Sequence, residues 1–284
     1  MGYALRDISV RLDGRDILRS VSCHLQEGKW ISLIGRTGAG KSTFAKVVKG
    51  LIPFYRGEYT QHGQPMPKDR QGRLKVVPQI GYVFQYPEHQ LFAATVEQEL
   101  AFALTVQGVS RTSVDQAIHA VMEKVGIPAE LLPQNPFQLS GGLKRRVAIA
   151  SVLIADPELL ILDEPAAGLD PGSRRSLLSR LRSWQKENGR TVLFISHQLE
   201  DVAEYSDEVI LFHEGRSLGH YEVNELFLKR PEQMEQAGLP LPEPVQLLRL
   251  MEQLSGQRLE PASCREADIM ERVRAVWHGK DKLA

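Results

Sequence analysis

The sequence predicts an α/β fold: a mixed sheet with an antiparallel N-terminal β-subdomain, a helical subdomain over about residues 86–157, and a small helical C-terminal extension. Three observations carry this. Short apolar runs (Trp30 to Ile34, Leu159 to Leu162, Val209 to Phe212) alternate with stretches of helical period. Strands apolar on both faces belong in a parallel sheet covered on both sides. Residues 3–12 and 16–25 are instead β-rich segments joined at Asp13-Gly14, the turn pair of an antiparallel hairpin. Beyond Val223 the composition changes, and five prolines from Pro231 to Pro261 punctuate two helical segments.

Taken in order, the hairpin breaks at Glu27-Gly28 and the strand 30–34 ends at Gly35. A helix runs from Lys41 to Lys49, stopped by Gly50 and Pro53. A strand over Gln79 to Phe84 leads into a helix-like stretch through about Leu104. Val114, Ile118, Val121 and Val125 mark one helical face within 113–125, and three prolines make 128–138 a connector. There follow a helix from Ser140 to about Ile154, a strand at 159–162, a helix at 171–186, a strand at 191–195, a short helix and a strand at 209–212. In the tail, Ile269, Val273, Val276 and Trp277 share a face of a helix near 268–277. Residues 1–223 thus read as one domain. Residues 224–284 read as an appendage, either a packing extension or a dimerisation surface.

Composition narrows the function classes. The chain has 284 residues, 42% of them hydrophobic, enough to bury a substantial core. Lys plus Arg equals Asp plus Glu at 35 each, so no net field points to nucleic acid or acidic lipid. Cys23 and Cys264 are too few and too far apart for a disulfide scaffold or a metal site. The first residues lack the apolar run of a secretory signal, and Arg6 stands where a myristoylation signal needs Ser or Thr. The longest apolar stretch, Val147 to Ala155, is far short of the ~20 residues of a membrane-spanning helix. A membrane role would require a partner.

Gly35-Arg36-Thr37-Gly38-Ala39-Gly40-Lys41-Ser42 fits the phosphate-binding loop, and with Thr43 it opens the first helix. Its glycines let successive backbone N–H groups point at phosphate oxygens, and the helix adds its positive end. Lys41 would neutralise β- and γ-phosphate charge, and the Ser42 hydroxyl would ligate Mg2+. A plain glycine turn is the bland alternative, but a buried strand before and a helix after are the context the loop requires. Asp163 ends a core strand, at the edge of a parallel sheet that faces the ligand crevice, and would hold Mg2+. Glu164, the next residue, is placed to polarise an attacking water. Acidic residues also cap turns after strands; the upstream loop favours chemistry.

Between these two motifs stands Leu139-Ser140-Gly141-Gly142, which resembles the signature of ABC ATPases. Small residues at a helix start leave backbone N–H groups and a hydroxyl free to grip a second phosphate. The other family marks are present: Gln85 matches the glutamine that touches Mg2+, Ala167 to Asp170 the loop that crosses a dimer interface, and His197 the histidine that contacts the γ-phosphate. The resemblance covers residues 3 to about 222 and implies a P-loop NTPase of ABC type. In such proteins two chains bind head to tail, each ATP lying between one Lys41 loop and the partner's signature helix. Two positions depart from the pattern. Leu143 replaces the usual Gln, and Leu12 stands where an aromatic ring commonly stacks on adenine.

Phe84-Gln85-Tyr86-Pro87-Glu88-His89-Gln90-Leu91-Phe92, then Thr95-Val96-Glu97-Gln98-Glu99, resembles the ATPases of energy-coupling-factor importers, including their cobalt and nickel branch. The phrase from Ala237 to Val245 is similar to the opening of their C-terminal extension. This resemblance implies a peripheral subunit on the cytoplasmic face of the cell membrane. Its implied partners are a transmembrane coupling subunit, small membrane substrate-binding subunits and a second ATPase chain, identical or related, with no nucleic acid. It implies uptake of a vitamin or a metal ion, with residues 86–104 meeting the membrane protein. A conventional ABC importer shares the general motifs. Soluble repair or translation ATPases fit less well, since each motif occurs once and no long coiled coil separates them. A catalytically dead subunit is disfavoured by Lys41, Asp163, Glu164 and His197.

Overall fold

In the computed structural model, which describes residues 2–52 and 55–280, the chain opens with β1 (Gly2–Leu12) and β2 (Arg15–Gln26), paired antiparallel. The Pro53 stop, Met1 and residues 281–284 lie outside the described residues. Next come β3 (Trp30–Ile34), α1 (Lys41–Lys49), β4 (Arg56–Gln61), β5 (Gln64–Pro65) and β6 (Ile80–Val83). Three helices follow: α2 (Val96–Val106), α3 (Arg111–Val125) and α4 (Gly141–Leu153). The α/β rhythm resumes with β7 (Leu159–Asp163), α5 (Pro171–Glu187), β8 (Thr191–Ile195), α6 (Leu199–Tyr205), β9 (Glu208–His213) and β10 (Arg216–Glu222). The tail holds α7 (Pro231–Gln236), α8 (Glu243–Ser255) and α9 (Glu266–Lys280).

Two sheets organise these elements. The first is antiparallel, in the order β2-β1-β4-β5; the second runs β10-β9-β3-β8-β7-β6, parallel except for β10 at its edge. Strand alternation divides the core between the two faces of the second sheet. Ile31, Leu33, Leu159, Ile161, Leu193 and Ile195 pack with α1 and the antiparallel sheet. Trp30, Leu160, Leu162, Val192 and Phe194 pack with the helices. The carboxyl ends of β3 and β7 therefore deliver the Gly35 loop and Asp163 to one edge, the position from which α/β sheets bind ligands.

Three features differ from the sequence expectation. The β4–β5 hairpin and β10 carry too little apolar signal to be read: only Tyr59 is fully buried in β4, and nothing in β10 is. Polar residues suit β5 and β10, which lie at sheet edges. The stretch after Phe84 is not one helix. A 3-10 turn at Pro87–Gln90 is separated from α2 by an extended segment, where the Glu99 carboxylate accepts from the N–H groups of Phe92 and Ala93 and Thr95 caps the new helix. Third, Ile269 and Val273 are buried but Trp277 is 61% exposed, so the apolar face of α9 stops short of its end. Met234, Val245, Leu248, Met251 and Cys264 join the same buried cluster as Trp30, so the tail packs continuously onto the helical face.

Candidate functional site

The loop after β3 has the backbone a phosphate cradle needs. Gly35 lies so close to β9 that an added Cβ would sit 2.4 Å from the Phe212 carbonyl oxygen, at φ +153°. Gly40, at φ +99°, ends the loop and caps α1 without a side chain, leaving the first-turn N–H groups of the helix open. Arg36, Thr37 and Gly38 are exposed, Ala39 is buried, and Ser42 and Thr43 are half-buried in the first turn. Lys41 is buried and folds back over the loop, its Nζ donating to the carbonyls of Gly35 (2.7 Å) and Arg36 (3.1 Å). Burial pulls its pKa below the usual lysine value, and the charges of Glu164 and Asp163 pull the other way. Two of its three N–H donors are used, so one remains for an anion.

Opposite the loop, β7 ends with the two carboxylates in different settings. Asp163 is buried; its Oδ1 accepts from Ser42 Oγ at 3.1 Å and its Oδ2 from Tyr82 Oη at 2.9 Å. Burial and the Asp163 charge raise the Tyr82 pKa, so the phenol keeps its proton and is the donor. Glu164 adopts φ +51°, which turns its carboxylate off the strand direction. Its Oε2 accepts from Gln85 Nε2 at 2.9 Å, and its Oε1 lies 2.8 Å from His197 Nε2. Gln85, Glu164 and His197, distant in sequence, thus converge on one carboxylate. The Ser196 hydroxyl accepts from the Gln198 N–H at 3.0 Å and fixes the turn that presents His197.

The chemistry of the donors fits a magnesium ion. Ser42 Oγ and Asp163 Oδ1 are hard oxygens at the mouth of the loop, and magnesium takes one or two such protein ligands alongside phosphate oxygens and waters. Gln85 approaches Glu164 through its amide nitrogen, leaving the amide oxygen as the atom a cation would take.

Ser140 caps α4, its hydroxyl accepting from the Leu143 N–H at 3.4 Å. Gly141 and Gly142 face open space on the sides where a Cβ would project. Leu143, the departure from the usual Gln, packs its side chain partly into the core. Among the described residues no hydrogen bond or ion pair joins Ser140, Gly141 or Gly142 to the Gly35–Thr43 loop. Asp170 caps α5, its Oδ1 accepting from the N–H groups of Gly172 and Ser173. Leu12 is 42% exposed, available to an apolar ring.

Sequence reading missed Tyr82, Arg145 and Asp201. Arg145, on the signature helix α4, is buried. It makes a two-pronged ion pair with Glu88, at 2.7 and 3.0 Å, and donates to the Ala167 carbonyl. In the sequence it is one of three adjacent cations, Lys144 to Arg146, that look like a solvated face. Asp201 on α6 lines a cavity of 170 Å³ with Glu164, Gly168, Arg174 and His197. Its nearest cation atom, Arg174 Nε, is 3.6 Å away, an ion-pair contact too long for a hydrogen bond. A larger concavity of 680 Å³ lies by the antiparallel sheet, lined by Arg11, Arg19, Arg56 and Arg216, and none of the motif residues line it.

Burial pushes the Asp201 carboxyl up to about 6, against the pull of Arg174. The folded protein therefore holds this proton where the unfolded chain, near pH 4, has released it. Stability from this group falls as pH rises from about 4 to about 6 and is flat above. Asp201→Asn is expected to remove that slope and to exceed the parent at pH 7.5 by on the order of 1–2 kcal/mol. Urea unfolding at pH 4.5 and 7.5 would measure it.

Comparison with known proteins gives a consistent picture. The ABC transporter family profile matches residues 18–167. The chain is 35% identical to the energy-coupling factor transporter ATP-binding protein EcfA2 of Bacillus subtilis, over 94% of this chain and 97% of that one. It is 38% identical to the protein of the same name from Clostridium perfringens, over 82% and 81%. Among solved structures it resembles cbiO1 of Clostridium perfringens, described as part of the ABC transporter complex cbiONQ. The TM-score is 0.75 and the identity 31%, covering 87% of this chain and 98% of that one.

Proposed function

The chain belongs to the ABC transporter family, with the ATP-binding subunits of energy-coupling factor transporters, and from that premise we propose that it powers import of a vitamin or metal ion as half of an ATP-sandwiching dimer. The observation that carries the chemistry is the convergence of Gln85 and His197 on Glu164, beside the Ser42–Asp163 pair. ATP seats its phosphates on the N–H groups of the Gly35–Thr43 loop and on Lys41. Ser42 and Asp163, with the amide oxygen of Gln85, would hold magnesium, which would supply charge neutralisation on the phosphates. Glu164 accepts the proton of the attacking water, and His197, released from Glu164 towards the γ-phosphate, donates to its oxygen. Ser140, Gly141 and Gly142 of the second ATPase chain close the site from the other side, with Asp170 at the crossing. This reading fits the open helix start of α4 and its lack of bonds to the loop of its own chain.

Docking to a membrane subunit is supported by an exposed apolar group on the helical subdomain. Phe92 is 60% exposed and Phe102 52%, their rings 4.9 Å apart, with Val106 and Tyr86 also exposed. A patch of this kind marks a protein contact. No helix among the described residues is long and apolar enough to cross a membrane, so a peripheral position on the cytoplasmic face requires that contact. Phe102→Asp is expected to release the chain from membranes on washing while nucleotide affinity stays at the parent value. Fractionation and a fluorescent ATP analogue would read the two effects.

The test of the whole reading is to tag the chain, extract it gently from native membranes and identify what accompanies it. A transmembrane coupling protein, a second ATPase and small membrane binding proteins are the expected set, and the last of these would indicate the cargo. A conventional permease pair would overturn the importer type and leave the ATPase chemistry standing.

A further inference from the structure

The Asp163 carboxylate is gripped at both oxygens. Ser42 Oγ donates to Oδ1 at 3.1 Å, and Tyr82 Oη donates to Oδ2 at 2.9 Å from the neighbouring strand. The parallel register of β6 and β7 sets Tyr82 beside Ile161, two residues before Asp163, so the phenol reaches forward along the sheet to the strand end. Tyr82 and Asp163 are both buried, and the Tyr82 ring packs against Phe84 with centroids 4.2 Å apart. A carboxylate held at one oxygen alone can rotate about its terminal torsion, which is broad and soft. Held at both, it keeps Oδ1 turned towards Ser42. The hydrogen bond of the phenol goes to Asp163, not to the phosphate loop or to Glu164.

We propose that Tyr82 is a positioning residue whose hydroxyl locks the Asp163 carboxylate, so that Oδ1 and Ser42 Oγ form a preset pair of oxygen donors for the divalent cation that accompanies ATP. The inference rests on the reading of Ser42 and Asp163 as the cation site. It assigns Tyr82 an effect on cation affinity and none on the nucleotide alone. A tyrosine serving only to fill the core would leave cation affinity constant when its hydroxyl alone is removed.

Tyr82→Phe removes one oxygen and keeps the ring against Phe84. The full-length protein would be loaded with a non-hydrolysable ATP analogue and titrated with Mn2+ as a paramagnetic probe, the bound fraction read by electron paramagnetic resonance. The expected result is Mn2+ affinity about tenfold or more below the parent, the scale at which groups behind a ligand tune a metal. Analogue affinity in EDTA should match the parent, and the melting temperature without ligand should fall by only a few degrees, the effect of one lost hydrogen bond. Ser42→Ala separates the two levels of the argument. If Ser42→Ala loses Mn2+ while Tyr82→Phe binds it like the parent, the positioning role is overturned and the cation site stands. If Ser42→Ala also binds Mn2+ like the parent, the cation site itself is wrong. A loss of analogue affinity in EDTA for Tyr82→Phe also overturns the proposal, because the phenol would then act on the whole site.

Discussion

Glu164→Gln is expected to cut steady-state ATP hydrolysis by about 10²- to 10⁴-fold, the range of general-base catalysis, with ATP affinity close to the parent. The substitution keeps the shape of the side chain and one acceptor oxygen for the donors now supplied by Gln85 and His197. It removes the negative charge that would take the water's proton. Because the phosphate contacts of Lys41 and the loop are untouched, ATP should still draw two chains together, and without cleavage nothing releases them. Size-exclusion chromatography with ATP and magnesium should show a dimer that the parent forms only transiently. Turnover at the parent rate would take Glu164 out of the reaction.

Arg145→Ala is expected to have the largest effect on stability of any single change at the site. The residue is 4% exposed, and its guanidinium donates to Glu88 and to the Ala167 carbonyl. Removing it leaves the Glu88 carboxylate partly buried without its partner, a loss of about 3–5 kcal/mol for a buried pair. For a chain of this size that corresponds to a fall in melting temperature of roughly 6–20 °C. The same contact ties three segments together: the turn after Gln85, the signature helix α4 and the loop between Glu164 and Asp170. The paired change Glu88→Gln with Arg145→Met removes both charges and should recover part of the stability. If catalysis stays low in that stable double variant, the tie transmits movement as well as holding the fold. A melting temperature for Arg145→Ala within 2 °C of the parent, roughly the effect of 1 kcal/mol or less, would show that the pair contributes little.

Much of the site was legible in the residues alone. The glycine spacing of Gly35 to Gly40 can serve only a tightly curled backbone, and the φ values of +153° and +99° at its ends bear that out. The apolar runs at 30–34, 159–162 and 191–195 could lie only in a doubly covered sheet, and they are adjacent parallel strands. Asp163 and Glu164 were placed at a strand end by chain order, where the structure finds them. These features are local: a loop conformation, a strand's burial and a position beside a turn depend on residues within a few steps of one another.

Other features were decided only by the tertiary structure. The strands β4, β5 and β10 pair through backbone groups while few of their side chains are fully buried, so no apolar period announces them. Trp277 fits the helical face of Ile269 and Val273 in the sequence, yet α9 carries it past the surface against which the other two pack. Tyr82 is 81 residues from Asp163, and Arg145 is 57 from Glu88. A phenol or a guanidinium has no period or spacing that names its partner. Only the register of β6 on β7 and the seating of α4 on the turn after Gln85 bring these groups within hydrogen-bond distance. The sequence by itself determined which chemistry the chain carries, because phosphate binding and water activation need particular residues at fixed local spacing. The packing of distant strands and helices decided how firmly each of those residues is held, because a hydrogen bond forms only where two surfaces meet.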